Sequence, residues 1–148
     1  MIRVVLTIVM SMSALLGFSQ DSNSTKSSNN VEVAINDIGT DKGTMYYMIF
    51  DSEESFNKRK ALKSSYSKIT NGKTTTSFSD LPNGNYAVLC FHDVNDNQQM
   101  DLLESGIPKE QYGVSNNVFN FGPPSFDEAK FEVNNTNLTF EIELIQVL

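Results

Sequence analysis

The sequence predicts an all-β protein: a single antiparallel β-sandwich of about seven short strands, with one short surface helix and a long Gly/Pro/Asn-rich loop. Three observations point there. From Val31 onward the apolar residues recur with a period of two, the signature of half-buried strands. Turn-forming clusters such as Asn71-Gly72 and Leu81-Pro-Asn-Gly84 separate the apolar runs. Only residues 52–62 break the alternation with a charge order that suits a helix.

In chain order, residues 1–19 read as a secretory signal peptide. Arg3 precedes an apolar stretch over residues 4–10, and cleavage after Ser19 places the small residues Gly17 and Ser19 at the −3 and −1 positions. No Cys lies there to be lipidated, and no stop-transfer segment follows, so an uncleaved membrane anchor is the weaker alternative. The mature product is expected to be exported, to periplasm, cell surface or medium, with no transmembrane segment after cleavage. Residues 20–30 are polar throughout and predict a flexible tether, leaving residues 31–148 as one domain.

Composition narrows the partners. Loss of Arg3 with the leader moves the formal charge from −7 to −8, which argues against nucleic acid or an anionic membrane surface. A protein or carbohydrate ligand of unknown identity, and a monomeric state, are the remaining expectations. The single cysteine, Cys90, has no internal partner, and its apolar neighbours make it a small buried hydrophobe rather than a reactive thiol.

The first strand has Val31, Val33 and Ile35 alternating with Glu32, Ala34 and Asn36. Gly39-Thr-Asp-Lys-Gly43 turns the chain into residues 44–50, apolar on both faces and hence a central strand. Over residues 53–62, Glu53 and Glu54 precede Lys58, Arg59 and Lys60, the order a helix dipole favours, although Ser52 and Ser55 do not read as a capping box. That basic cluster is expected in the helix's C-terminal turn, with an acidic docking partner as the functional alternative. Residues 65–70 and 73–79 flank Asn71-Gly72, a hairpin signal because both turn positions need positive φ, and their Ser and Thr content predicts a solvated edge. Residues 86–91 form the next strand and lead into His92. Residues 106–122 are expected to be irregular, and residues 126–133 and 138–147 supply the last two strands, with a bulge or strand end near Ile145.

The chemically specific feature is the loop Asp93-Val-Asn95-Asp-Asn97-Gln-Gln99-Met-Asp101-Leu-Leu-Glu104. Oxygen-bearing side chains at Asp93, Asn95, Asn97 and Asp101, the Gln99 carbonyl, and Glu104 at the twelfth position follow the spacing of a calcium loop, D-x-[DN]-x-[DN]-G-x5-E. The expected cofactor is Ca²⁺. Gln98 stands where the pattern has Gly and would adopt a left-handed conformation at a cost. The bland alternative is an Asx-rich turn, since Asn and Asp bond their own backbone.

The turn Leu81-Pro-Asn-Gly-Asn-Tyr86 entering an apolar strand resembles transthyretin-like and carboxypeptidase-regulatory-like sandwiches, within the broader transthyretin-like or Ig-like class. A sharper likeness follows. His92-Asp93 with Asn95, Asn97 and Asp101, then Gly106-Ile-Pro-Lys-Glu-Gln-Tyr-Gly-Val-Ser-Asn-Asn117, then Phe121-Gly-Pro-Pro-Ser-Phe126, resemble in order the bacterial family called domain of unknown function 2141. The resemblance runs from about Val31 to the C-terminus and implies a small exported protein with a β fold; it supplies no reaction. In the family pattern Gly usually occupies the place of Gln98, Asn often that of Leu103, and an apolar or aromatic residue that of Glu104. It therefore implies an ion held by Asp93, Asn95, Asn97, Gln99 and Asp101, completed by water or the Gly-Ile-Pro segment, with Glu104 a coincidental match.

No catalytic residues are expected. His92, Asp93 and Ser115 are the residue types of a nucleophilic triad, but adjacent strand residues point to opposite faces and nothing around Ser115 resembles a nucleophile elbow. A hydrolase using His92 is the outside alternative. The aromatic series Tyr112, Phe119, Phe121 and Phe126 reads as a plug that packs the long loop onto the sandwich, with a carbohydrate groove as its alternative. The resulting expectation is an exported, non-enzymatic module whose loop is rigidified by Ca²⁺, or else an envelope-associated structural protein whose loop binds no metal.

Overall fold

The computed structural model describes residues 28–120 and 122–147. The expected signal peptide and the tether up to residue 27 lie outside the described residues. Strand β1 (Asn29–Ile35) begins two residues inside the segment read as tether. Asn29 can be buried there because its Nδ2 donates to the Leu81 carbonyl at 2.8 Å and to Asn83 Oδ1 at 3.0 Å.

The remaining strands are β2 (Thr44–Phe50), β3 (Lys63–Lys68), β4 (Thr74–Leu81), β5 (Gly84–Asp93), β6 (Tyr112–Val114), β7 (Phe131–Val133) and β8 (Leu138–Glu141). They form two sheets, a three-stranded one in the order β4-β1-β8 and a five-stranded one in the order β3-β2-β5-β6, with β7 also on β5. The predicted β-sandwich is present. Every ladder is antiparallel except β1–β8, which runs parallel from Val31↔Leu138 to Ala34↔Glu141. Nearly the whole domain separates these two strands, so no hairpin dictates their relative direction.

Four local expectations need correction. Residues 126–133 divide into a helix, α2 (Phe126–Ala129), and β7, so the described residues hold two short α-helices where one was expected. Ser125-Phe-Asp-Glu128 forms a capping box, which starts a helix where the apolar spacing alone suggests a strand. The other helix, α1 (Glu53–Asn57), also opens on a capping box, because the Ser55 hydroxyl takes the part usually played by Glu or Gln. It ends before the basic cluster: Lys58 is the C-cap and Arg59 has φ 54°. The last strand stops at Glu141, and the chain then crosses to the other sheet, where Tyr112 and Ile145 exchange backbone hydrogen bonds of 3.1 and 2.7 Å.

Asn71 and Gly72 do adopt positive φ, 53° and 69°. Yet the strands they join separate at once, β3 to one sheet and β4 to the other, after the single bridge Thr70↔Lys73. The Ser and Thr side chains close this corner instead, with Ser65 Oγ 2.6 Å from Thr76 Oγ1 and Ser67 bonded to Thr74. Both strands are sheet edges, as their hydroxyl content predicted.

Between the sheets, Val31, Val33 and Ile35 meet Met45, Tyr47, Ile49, Val88 and Cys90. The opposite face of the five-stranded sheet carries a second cluster, in which Phe50, Ala87 and Leu89 lie under Phe56 of α1 and Phe126 of α2. Burial pushes the Cys90 thiol up to about 12, which keeps it protonated as a core residue. Among the described residues no helix is long and apolar enough to cross a membrane.

Candidate metal centre

Strand β5 delivers His92 and Asp93 to opposite faces. His92 pairs with Met45 on the inner face and is buried. Its Nε2–H donates to the Lys42 carbonyl at 2.7 Å, tying the strand end to the preceding turn. Asp93 pairs with Thr44 and is fully buried at the mouth of the loop.

The Asp93 carboxylate organises the turn that follows. Its Oδ1 accepts the Asn97 N–H at 3.1 Å and its Oδ2 the Gln98 N–H at 2.7 Å. Asn95 Oδ1 shares the Asn97 N–H at 3.1 Å, and Asn97 Oδ1 accepts the Gln99 N–H at 2.9 Å. Asp101 closes the ring, with Asn95 Nδ2 donating to its Oδ2 at 2.8 Å and Asn97 Nδ2 to its Oδ1 at 3.1 Å. Thus Asp93, Asn95, Asn97 and Asp101 converge. Gln98 has φ 66°, the left-handed conformation expected of the position where the loop pattern has Gly.

Glu104 is not part of that cluster. Leu102 and Pro108 bridge, Leu103 N–H donates to the Ile107 carbonyl at 2.8 Å and Gly106 N–H to the Leu103 carbonyl at 2.9 Å. This small hairpin carries Glu104 at its exposed tip. The glutamate that the fold returns to the loop is Glu110, which is buried. Its Oε1 accepts the Val94 N–H at 3.0 Å and its Oε2 the Asp101 N–H at 3.1 Å, clamping both ends of the loop. Position-counting along the loop misses it because the hairpin intervenes; its signal was a lone carboxylate within the Gly106-Ile-Pro-Lys-Glu110 motif.

All donors in the cluster are oxygens, which suits a hard cation and not a soft one. Two of the four converging side chains are amides. Accordingly, among the described residues no group of three or more His, Cys, Asp or Glu is gathered as a metal site. The triad types are each committed elsewhere: Ser115 Oγ accepts the Val88 N–H at 3.0 Å and donates to the Ala129 carbonyl at 2.6 Å, while His92 serves Lys42 and Asp93 the loop backbone. Of the aromatic series, Phe126 is buried with its ring centroid 6.0 Å from that of Phe56, and Tyr112 packs on the same cluster. Phe119 is exposed, and Phe121 lies outside the described residues.

A family model described as "Uncharacterized protein conserved in bacteria (DUF2141)" matches residues 33–141, most of the sandwich and all of the loop. The chain belongs to DUF2141. The match covers every strand from within β1 to the end of β8, so the converging loop and the Glu110 clamp both belong to the DUF2141 domain. No curated protein and no solved structure matches the chain.

Proposed function

We propose that this DUF2141 chain is an exported, non-enzymatic β-sandwich module whose loop binds Ca²⁺ and is rigidified by it. Export rests on the leader-like residues 1–19 and leaves periplasm, cell surface and medium as destinations. The observation that carries the calcium reading is the convergence of Asp93, Asn95, Asn97 and Asp101 around a turn with Gln98 at φ 66°. Those side chains and the Gln99 carbonyl would hold the ion, which supplies rigidity rather than chemistry. Glu110 would fix Asp101 from behind through its backbone N–H. The non-enzymatic reading is supported by the commitment of His92 and Ser115 to backbone groups.

One observation favours a second reading, an envelope-associated structural protein whose loop binds no metal. The Asn95 and Asn97 amides already donate to Asp101, so the loop satisfies its own polar groups. Thermal unfolding in chelator and in millimolar calcium separates the two. A melting midpoint raised by calcium supports the ion site; coincident curves favour the self-closed turn.

A further inference from the structure

We propose that the Asn71-Gly72 pair is a deamidation site and that the Asp41 carboxylate is the group that restrains it. An Asn followed by Gly is open to this change because no side chain on Gly72 shields its backbone nitrogen from the neighbouring amide. Asn71 is exposed at the corner between β3 and β4, and with Asp41 and Gly72 it lines an open surface cleft. Water therefore reaches the pair. None of these groups belongs to the acidic loop, so the inference does not rest on the calcium reading.

The reaction needs water and nothing else. The Gly72 nitrogen loses its proton and attacks Asn71 Cγ; a new C–N bond closes a cyclic imide, and the side-chain nitrogen leaves as ammonia with the proton. Water then opens the imide at one carbonyl or the other, giving an aspartate or an isoaspartate. Attack requires the peptide between residues 71 and 72 to turn its nitrogen toward the side chain. Asp41 opposes that turn: its Oδ1 accepts the Gly72 N–H at 2.8 Å and its Oδ2 the Asn71 N–H at 3.0 Å. The Gly72 carbonyl is fixed too, accepting the Ile38 N–H at 2.9 Å. The carboxylate also makes the proton harder to lose, since the amide anion would face a like charge.

Either product would undo the restraint. Each places a new carboxylate at residue 71 near Asp41, a like-charge contact, and the isoaspartate also lengthens the backbone beside the Thr70↔Lys73 bridge. The damage falls at the corner where β3 and β4 part into different sheets. The chain's other Asn-Gly pair, Asn83-Gly84, is held differently, with Asn83 Oδ1 accepting Asn29 Nδ2 at 3.0 Å and the Asn135 N–H at 2.9 Å. Those bonds do not involve Asp41, which makes Asn83 an internal control.

Incubation of the full chain at mildly alkaline pH, followed by peptide mapping in a mass spectrometer, tests the proposal. Residue 71 is expected to deamidate about tenfold faster in Asp41→Ala than in the native chain, the factor that loss of a hydrogen bond to a charged group implies. Asp41→Asn, which keeps one acceptor, should fall between them, and the rate at Asn83 should be the same in all three. Because Asp41 is exposed, the alanine variant keeps its core, and circular dichroism checks that it folds. An equal or slower rate at residue 71 in Asp41→Ala, or no deamidation there in either chain, overturns the proposal. A matching rise at Asn83 overturns it as well, by tracing the effect to general loosening.

Discussion

A Cβ added to Gly43 would stand 2.1 Å from the carbonyl oxygen of Asp93 and 2.7 Å from the Cα of Val94. The turn before β2 therefore presses its backbone directly against the root of the acidic loop. Gly43 also has φ 80°, a conformation that strains any L side chain. Gly43→Ala should cost roughly 2–4 kcal/mol, read as a lower urea midpoint with an unchanged slope. A loss under about 0.5 kcal/mol would mean that the turn relaxes freely away from the loop.

Calcium should raise the melting midpoint. At a free concentration about a hundredfold above the dissociation constant, linkage contributes about 2.7 kcal/mol, or roughly 5 to 15 °C for a domain of this size. Asp93→Ala should abolish most of the difference between chelator and calcium. Glu104→Gln should leave it unchanged, since Glu104 sits on the hairpin tip, while Glu110→Gln should reduce it by loosening Asp101. Gln98→Gly should preserve or enlarge the shift by relieving the φ of 66°. A shift that depends on Glu104 and not on Glu110 would contradict this arrangement.

Acid should weaken the contact between loop and sheet. The Thr44 hydroxyl and the Lys68 ammonium hold the Asp96 carboxyl below its ordinary value. A carboxylate depressed in the folded state contributes fully above its unfolded pKa, and the contribution fades as pH falls through the folded one. For Asp96 the loss therefore falls in the acid range, below the ordinary carboxylate value. Asp96→Asn should flatten that part of the stability–pH curve, measured as urea midpoints across the acid range. Parallel curves for the native chain and the variant would show that the pair contributes nothing.

His92 and Ser115 should behave as structural residues. His92→Ala removes a bond of 2.7 Å to Lys42 and leaves a void where a buried ring was, at a cost of roughly 2–3 kcal/mol. Ser115→Ala strands the Val88 N–H and the Ala129 carbonyl and should cost about 1–3 kcal/mol. Urea unfolding measures both. A hydrolytic activity lost in a folded His92→Ala variant would overturn this assignment.

By itself the sequence determined the sandwich class, the first five strands and the converging part of the loop, while β6 lies in the segment expected to be irregular. Those features are written in local terms: Val31, Val33 and Ile35 have period two, Asn71-Gly72 needs positive φ at both positions, and Asp93, Asn95 and Asn97 are spaced to bond one another's backbone. The helix at residues 126–129 has a local signal too, the box of Ser125 and Glu128, but the apolar spacing alone reads as a strand. Only the tertiary structure decided that β3 and β4 part into different sheets, that β8 lies parallel to β1, and that Glu110 clamps the loop in the place where counting expects Glu104. The alignment of Tyr66, Tyr46, Phe91 and Tyr112 across β3, β2, β5 and β6 belongs with these, because it exists only once those strands share a register. Turns and alternation act over a few residues and leave their marks in order along the chain. Register between distant strands is selected by the burial of one face against another, and that selection is made only when the whole core closes.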